Sequence, residues 1–253
     1  MQGIGACGIG AHVLSTKALA APEKLLQRKA ALDARVDETP ALADTLRELR
    51  AWQAARLLRT YEDLRRDDRC GGAVEFFLNE LYGPQDFTRR DSDFRRAWKY
   101  FKRALPDPAL QVLQRTLALQ VLSEELDLAM AERLPRGPLT SASYSAAYCS
   151  VGSPEARREQ VDLLIAIGED LDRLVRHSWI SLALRAARVP ASAAGFGALQ
   201  DFLERGFAAF RRMKSAQRLL AAIRQRETQL MEALFKGDAD PFERTGAKTA
   251  DVT

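Results

Sequence analysis

Apolar residues recur every three or four positions along almost the whole chain of 253 residues. This spacing places apolar side chains on one face of an α-helix, whereas a half-buried strand needs strict alternation. Runs of alternating β-branched or aromatic residues bounded by turn residues, which would indicate strands, are almost absent. With 47% hydrophobic residues the chain is also too apolar to be disordered. The pattern therefore predicts an all-α protein.

Proline, glycine and serine residues interrupt this pattern and separate the predicted helices. We expect the helices, roughly seven in number, to pack as a single bundle. The predicted helices cover residues 22–36, 39–64, 73–81, 88–103, 109–134, 153–188, 196–213 and 215–235, the first of them short and weak. Thr39 and Ser153 are expected to cap helices that have proline in the first position, and Pro190 to end one. Residues 135–152 are expected to be irregular, with one short helical turn. Residues 1–37 are predicted to be a partly disordered extension, 38–236 the bundle domain and 237–253 a flexible tail.

Charge and cysteine content favour a cytoplasmic protein. The net charge is +4 and the sequence pI is about 9.1, too mild an excess to indicate a nucleic-acid binder by itself. The three cysteines are far apart and include no CxxC pair, which argues against both a disulfide framework and a zinc site. Cys70, beside two glycines, is the best candidate for an exposed thiol, although a buried or inert cysteine is the default. No run reaches about 18 apolar residues, so no transmembrane helix is predicted.

Polar and aromatic residues are densest at 76–91, where the sequence is FFLNELYGPQDFTRRD. The Tyr82-Gly83-Pro84 corner ends one predicted helix, because glycine accepts a positive φ and proline cannot continue a helix. The segment resembles a motif in a family of uncharacterised bacterial proteins of similar length, and the resemblance extends over most of the helical region. That family has no assigned activity. The resemblance therefore implies a shared fold and a structurally demanding turn, and it transfers no catalytic residue.

The charged residues of this corner allow three interpretations. Arginine and carboxylate groups can form a structural clamp, since bidentate pairing fixes two elements against each other. They can form an anion or ligand site beside the next helix N-terminus, with Arg90 on the anion. Glu75, Glu80 or Asp86 can also supply a catalytic acid or base. The candidate ligand or anion-binding residues are Glu80, Tyr82, Asp86, Arg90, Asp91 and, outside the corner, His177.

The predicted helix after the corner separates its charges from its apolar residues. At about 100° per residue, Phe94, Trp98, Phe101 and Leu105 share one arc, and a basic face lies nearly opposite. The basic face consists of Arg95, Arg96, Lys99, Lys102 and Arg103. A solvated surface explains such a face, but an acidic protein or another polyanion can also bind to it. No helix-turn-helix, zinc-finger or RNP-type signature predicts sequence-specific reading of nucleic acid.

A second basic run lies on the last two predicted helices. It consists of Arg205, Arg211, Arg212, Lys214, Arg218, Arg224 and Arg226. If the two basic faces join, they can hold a phosphate backbone, an acidic protein or an anionic membrane surface.

A near-heptad apolar stripe runs along the predicted helix 196–213. Its members are Phe196, Leu199, Leu203, Phe207, Phe210 and Met213, with Gly195, Gly197 and Gly206 permitting close helix approach. The stripe predicts core packing, and a homo-oligomer seam through this helix is the alternative.

The sequence identifies no metal site and no cofactor. A di-iron site in a helical bundle needs Glu-x-x-His motifs, but Leu174 and Arg173 stand three and four residues before His177. Glu124, Glu125 and Asp127 form a carboxylate cluster without an accompanying histidine. His177, beside Trp179, can serve as a single axial ligand to haem or as a hydrogen-bonded residue at the edge of the core.

Charge separation favours a non-enzymatic cytoplasmic binding or regulatory protein that engages an acidic partner through the basic face. The alternative is an enzyme that binds a small molecule or a cofactor, haem included, in a pocket between residues 82–91 and the two long central helices. Peripheral association with anionic membranes is a third possibility.

Overall fold

The computed structural model describes residues 21–80, 98, 102, 105–135, 137–238 and 241–242, with the backbone alone at 78–80. These ranges contain ten α-helices and no strand, which confirms the all-α prediction. The first five are α1 (Pro22–Asp37), α2 (Pro40–Thr60), α3 (Glu62–Arg65), α4 (Gly71–Glu80) and α5 (Asp107–Ala131). The other five are α6 (Ser141–Val151), α7 (Pro154–Leu174), α8 (Ser178–Ala193), α9 (Gly197–Met213) and α10 (Gln217–Lys236). Apart from residues 98 and 102, the predicted helix 88–103 lies outside the described ranges.

Several helix ends follow directly from local sequence. Proline stands in the first turn of α1, α2, α5 and α7, where its missing N–H has no intrahelical partner to lose. Gly237 ends α10 in the left-handed region at φ 74°, a conformation that glycine adopts without a Cβ penalty. The predicted starts of α2 and α7 and the stop at Gly237 are found. The capping prediction is wrong, because neither Thr39 nor Ser153 makes a side-chain cap hydrogen bond to a described residue, and α5 begins at Asp107, two residues before the predicted start.

The number of helices exceeds the roughly seven expected, partly because the predicted helix 39–64 is interrupted. It breaks at Tyr61, where φ is −113° and ψ is 17°, and α3 begins at the next residue. Tyr61 is buried, and its hydroxyl donates a hydrogen bond to Glu227 of α10. A contact from a distant helix therefore accompanies the break, and nothing in the local sequence signals it.

The stretch 135–152, predicted to be irregular, contains the eleven-residue helix α6. Thr140 and Ser143 form a capping box, in which each side chain accepts a hydrogen bond from the other residue's backbone N–H. Tyr144, Ala147 and Tyr148 are buried in the core. The prediction of one short turn is wrong because the serines and Ala142 and Ala146, which are typical of loops, here lie on the less buried side of a helix that packs through Tyr144, Ala147 and Tyr148.

The predicted helix 153–188 is two helices in the structure. α7 ends at Leu174, and the N–H groups of Arg176 and His177 bond to carbonyls three residues back, which tightens the chain into a turn. α8 then continues through Pro190 to Ala193, so the predicted stop at Val189-Pro190 is also wrong. Proline leaves the carbonyl of Ala186 without its helical partner, but residue 186 is exposed and water can hydrate it.

The core is arranged around α5, which packs along α7 and also contacts α1, α2 and α6. One buried cluster joins Leu49, Leu126, Met130 and Leu230, and a second joins helices α2 to α4 to the last helices of the bundle. The second cluster includes Phe77, Phe210 and Leu219. The central, buried position expected for the helix 109–134 is thus found in α5.

The predicted stripe of α9 packs within the chain at Leu199, Phe210 and Met213, which are all buried. Gly206 lies directly against the ring of Phe76 on α4, because a Cβ at this glycine would come within 2.7 Å of the ring. The expected close helix approach at Gly206 is therefore present.

Parts of the predicted extension and tail pack on the bundle. Leu25 of α1 is buried against Leu117 and Val121 of α5. At the other end of the chain, the Phe242 ring lies edge-on to Trp52, with 5.1 Å between centroids. None of the described helices is long and apolar enough to cross a membrane.

Candidate functional site

A cavity of about 120 Å³ is lined by residues of α2, α4, α5, α6, α7 and α10 and by Tyr61, which joins α2 to α3. Half of its twenty lining residues are apolar, which is ordinary for a core, and half are polar or charged. The polar ones are Gln53, Arg56, Tyr61, Ser123, Asp127, Tyr144, Tyr148, Arg157, Gln160 and Glu227. A buried polar group without a hydrogen-bond partner destabilises a fold, so the partners of these side chains indicate which of them are available to a ligand.

Three of these residues form one hydrogen-bonded cluster around a carboxylate. Glu227 Oε1 accepts hydrogen bonds from Arg56 Nη1 at 2.6 Å and from the Tyr61 hydroxyl at 2.9 Å. Burial raises the pKa of Tyr61 well above its ordinary value, and the Glu227 charge adds to this effect. Burial disfavours the charge of Arg56, but the Glu227 carboxylate outweighs it and raises the Arg56 pKa. The cluster is therefore an ion pair beside a protonated tyrosine.

Asp127, the second carboxylate of the lining, is also compensated. Its Oδ1 accepts a hydrogen bond from Gln53 Nε2 at 3.0 Å, and its Oδ2 lies 3.7 Å from Arg50 Nε. Both carboxylates in the cavity wall thus have a guanidinium of their own.

Arg157 differs from the other arginines at the cavity. It is only 5% exposed, and among the residues that the structure describes it forms no ion pair with a carboxylate. Its Nη1 lies 3.3 Å from Gln160 Oε1, its Nη2 lies 3.0 Å from Met130 Sδ, and its guanidinium stands 4.2 Å from the centre of the Tyr148 ring. Its Nε is buried without a hydrogen-bond partner. Within the described ranges, the groups that contact this guanidinium are therefore all neutral.

Two tyrosines of α6 supply hydroxyl groups to the same wall. Burial raises the pKa of Tyr144 and of Tyr148 above the ordinary value of 10.0, so both hydroxyls keep their protons near neutral pH. The Tyr144 ring is stacked on Trp52 with 4.2 Å between centroids, which fixes its position. Protonated hydroxyls can donate hydrogen bonds, as an anion requires.

The charges around the cavity favour an anion. Glu227 is paired with Arg56 and Asp127 with Arg50, which is half-exposed and lies outside the lining. This leaves Arg157 as the lining guanidinium without a carboxylate partner among the described residues. The arrangement can hold one further negative charge, and its donors are Arg157 and the hydroxyls of Tyr144 and Tyr148. The amide of Gln160 already donates a hydrogen bond to Ser123 Oγ at 2.8 Å. The volume is below the roughly 300–1,000 Å³ of pockets for drug-sized ligands, so the cavity suits a ligand of few heavy atoms.

The carboxylate cluster of α5 is divided among separate ion pairs. Glu125 is bonded by Arg28 at 2.9 Å and Glu124 lies 3.3 Å from Lys29, both toward α1, while Asp127 lines the cavity. Within the described ranges no group of three or more metal-ligating side chains could hold a metal ion. Cys70 is buried and burial raises the pKa of its thiol, so it follows the default of a buried cysteine and is not an exposed thiol.

Most residues predicted as site candidates lie outside the described part of the chain. This holds for Tyr82, Asp86, Arg90, Asp91, Arg95, Arg96, Lys99 and Arg103, and for the side chain of Glu80. Lys102 is described, is exposed and forms an ion pair with Glu23, which lowers the pKa of that carboxyl. His177 is exposed at the start of α8, near Trp179, and does not line the cavity.

The cavity residues were missed, although a signal for them exists. Arg157 occupies the same helix face as Val161 and Leu164, which also line the cavity. A charged residue on the apolar face of a helix is the feature that sequence reasoning can use. The sequence cannot show that the faces of six helices meet at one place.

The chain was compared with known families, curated proteins and solved structures. Neither a curated protein nor a solved structure matches it. A family profile matches residues 32–241, which include every cavity-lining residue. This agrees with the resemblance to an uncharacterised family seen in the sequence. The chain belongs to the family described as a domain of unknown function, DUF8198.

Proposed function

We propose that this protein binds a small organic anion in the cavity, with the anionic group on Arg157. The supporting observation is the buried guanidinium of Arg157, which has no carboxylate partner in the described ranges. Arginine stays charged at any physiological pH, and a buried charge without a counter-ion is costly. A bound anion supplies the counter-ion, and the hydroxyls of Tyr144 and Tyr148 can donate to it.

The apolar half of the lining supports an organic anion over an inorganic one. Leucine, isoleucine, valine, phenylalanine and methionine side chains make up this half, among them Leu57, Leu164 and Ile223. Burying a hydrocarbon group of the ligand against these side chains stabilises the complex. Phosphate or sulfate has no such group and would leave the apolar side chains in contact with a hydrated ion. A short-chain or single-ring carboxylic acid combines the two requirements.

This proposal retains the small-molecule interpretation of the sequence and assigns its ligand to the cavity. Binding of an acidic partner through the basic face stays a separate prediction. Of its five residues only Lys102 is described, and the charge of Lys102 is paired with Glu23. Neutral replacement of all five residues, followed by a comparison of bound partners in cell extract, tests that prediction.

The cavity proposal is tested first on the protein as purified from its own kind of host. An absorbance spectrum and native mass spectrometry report any retained ligand, and denaturation releases it for identification. The protein stripped of ligand is then titrated with butyrate, benzoate and inorganic phosphate by calorimetry and by thermal unfolding. We expect a carboxylate to bind and to raise Tm, and phosphate to have little effect.

Two neighbouring arginines provide the matched variants. Arg157→Met removes the buried charge and keeps a side chain of similar length. We expect the affinity for the carboxylate to fall at least about tenfold, because the variant loses a hydrogen bond to a charged group. Arg158→Gln removes an exposed charge at the next position and should bind as the wild type does. Equal binding by Arg157→Met, or no released anion together with no response to any carboxylate, would overturn the proposal.

A further inference from the structure

The outward face of α8 carries large apolar side chains that remain exposed. The exposed fraction is 44% for Trp179, 70% for Leu182 and 77% for Val189. At about 100° per residue these three and Ala186 fall within about 80° of the helix circumference, so they form one stripe. α8 contains no fully buried residue, and the stripe is a surface feature.

This stripe is separate from the face through which α8 packs on the bundle. α8 contacts α9, and Ile180 and Leu184, which lie away from the stripe, are half-buried. Gln200 of α9 donates a hydrogen bond of 2.7 Å to the Leu184 carbonyl, and Arg188 pairs with Glu204 at 3.0 Å. The helix is thus anchored on one side and apolar on the other.

Some arginines of the second basic run form ion pairs with aspartates, and other residues of the run form none within the described part of the chain. Arg218, Arg224 and Arg226 form ion pairs with Asp67, Asp162 and Asp63. In contrast, Arg211, Arg212 and Lys214 are exposed and form no ion pair with any described residue. We call these last three residues the basic cluster.

The basic cluster lies next to the end of α8 that carries Trp179. Arg176, two residues before α8 begins, approaches the Lys214 carbonyl with its Nη2 at 3.5 Å. No aspartate or glutamate occurs in residues 173–200 or 205–226. Asp172, just outside these segments, pairs with Arg176 and accepts a hydrogen bond from the Ala216 N–H, so its charge is already matched. The apolar stripe therefore has the positive charge of the basic cluster beside it.

We propose that the α8 stripe and the basic cluster bind the surface of an anionic membrane. Tryptophan with aliphatic neighbours enters the boundary between headgroups and acyl chains, and lysine and arginine beside it are attracted to anionic headgroups. A second copy of the chain fits less well, because its stripe would cover the apolar residues but would offer no acidic side chain to the basic cluster: α8 contains no aspartate or glutamate. This inference rests on a surface apart from the cavity and does not depend on the anion proposal.

Vesicle flotation tests this with the full chain. We compare vesicles of phosphatidylcholine alone with vesicles that also contain phosphatidylglycerol, at low and high salt. Binding should require phosphatidylglycerol and weaken with salt, which screens surface charge. Brominated acyl chains should quench tryptophan fluorescence in the wild type and much less in Trp179→Phe, which retains the other two tryptophans.

Two variants test the two parts of the surface. Arg211→Gln/Arg212→Gln/Lys214→Gln should weaken binding by about fivefold for each charge removed, and Leu182→Ser/Val189→Ser should also weaken it. The matched controls are Lys24→Gln/Arg59→Gln/Arg69→Gln and Leu58→Ser, which change exposed residues elsewhere and should bind normally.

Three outcomes overturn the proposal. They are no binding to anionic vesicles, equal binding to neutral ones, and equal loss in control and test variants. Analytical sedimentation tests a fourth outcome that would overturn the proposal. If the wild type is a dimer and Leu182→Ser/Val189→Ser is a monomer, a second copy of the chain covers the stripe instead of a membrane.

Discussion

Arg56 of α2 and Glu227 of α10 form an ion pair of 2.6 Å in the wall of the cavity. The two residues are far apart in the chain, and their side chains are largely buried. Tyr61 donates a second hydrogen bond to the same carboxylate. The pair therefore links the second and the last helix of the bundle through a charge that water reaches poorly.

Removing the acidic partner of this pair should destabilise the fold strongly. Glu227→Ala leaves the buried Arg56 charge uncompensated, and we expect the free energy of unfolding to fall by about 3–5 kcal/mol. Glu232→Ala on the same helix removes an exposed partner of Lys236 and should cost less than about 1 kcal/mol. Urea denaturation of both variants measures the difference. Similar small losses in the two variants would show that the buried pair is not required.

Arg157→Met should behave differently from Glu227→Ala. Among the described residues Arg157 has no carboxylate partner that the substitution would leave unpaired, and methionine restores most of the packing. The free energy of unfolding should therefore stay within about 1 kcal/mol of the wild type. Arg158→Gln should be equally mild. The measurement is urea denaturation of the protein without ligand. A loss of several kcal/mol in Arg157→Met alone would identify Arg157 as a structural residue.

Buried tyrosines should make the fold sensitive to alkaline pH. Tyr61, Tyr144 and Tyr148 have pKa values raised by burial above the ordinary value of 10.0. Below pH 10 they are protonated in both states, and their contribution to stability is fully present. As pH rises above 10 the unfolded chain ionises first, so stability falls toward the higher folded pKa values.

Phenolate absorbance during a pH titration measures this effect. These three of the five tyrosines should ionise only as the chain unfolds, and Tyr148→Phe should remove one equivalent from the delayed phase. Reversible ionisation of all five near pH 10, with helical circular dichroism retained, would contradict the prediction.

Gly206→Ala should test the close approach of α9 to α4. The added Cβ would come 2.7 Å from the Phe76 ring, and overpacking of this kind costs about 1–3 kcal/mol. Gly72→Ala is the control, because a Cβ at this helical glycine meets nothing within 4 Å. It should be neutral or slightly stabilising, since alanine favours the helix more than glycine does. Equal unfolding midpoints for the two variants would contradict the packing argument.

Sequence periodicity predicted the type of most elements and many of their ends. The apolar repeats placed α1, α9 and α10 nearly where they are, and the Thr39-Pro40 and Ser153-Pro154 pairs marked the starts of α2 and α7. Such features depend on residues within a few positions of one another. The interruption at Tyr61 and the helix α6 were missed, because contacts with Glu227 and with the aromatic core accompany them.

By itself the sequence determined that this chain is all-α, where most helices begin, and that charged residues fall on some apolar faces. These properties follow from short-range spacing and from the fixed geometry of the helix. Only the tertiary structure decided that Arg157, Tyr144 and Glu227 line one cavity and that Arg157 lacks a carboxylate partner in the described ranges. Packing between distant segments determines which helix faces meet. The same packing determines which residues surround a buried charge, and therefore whether it has a partner.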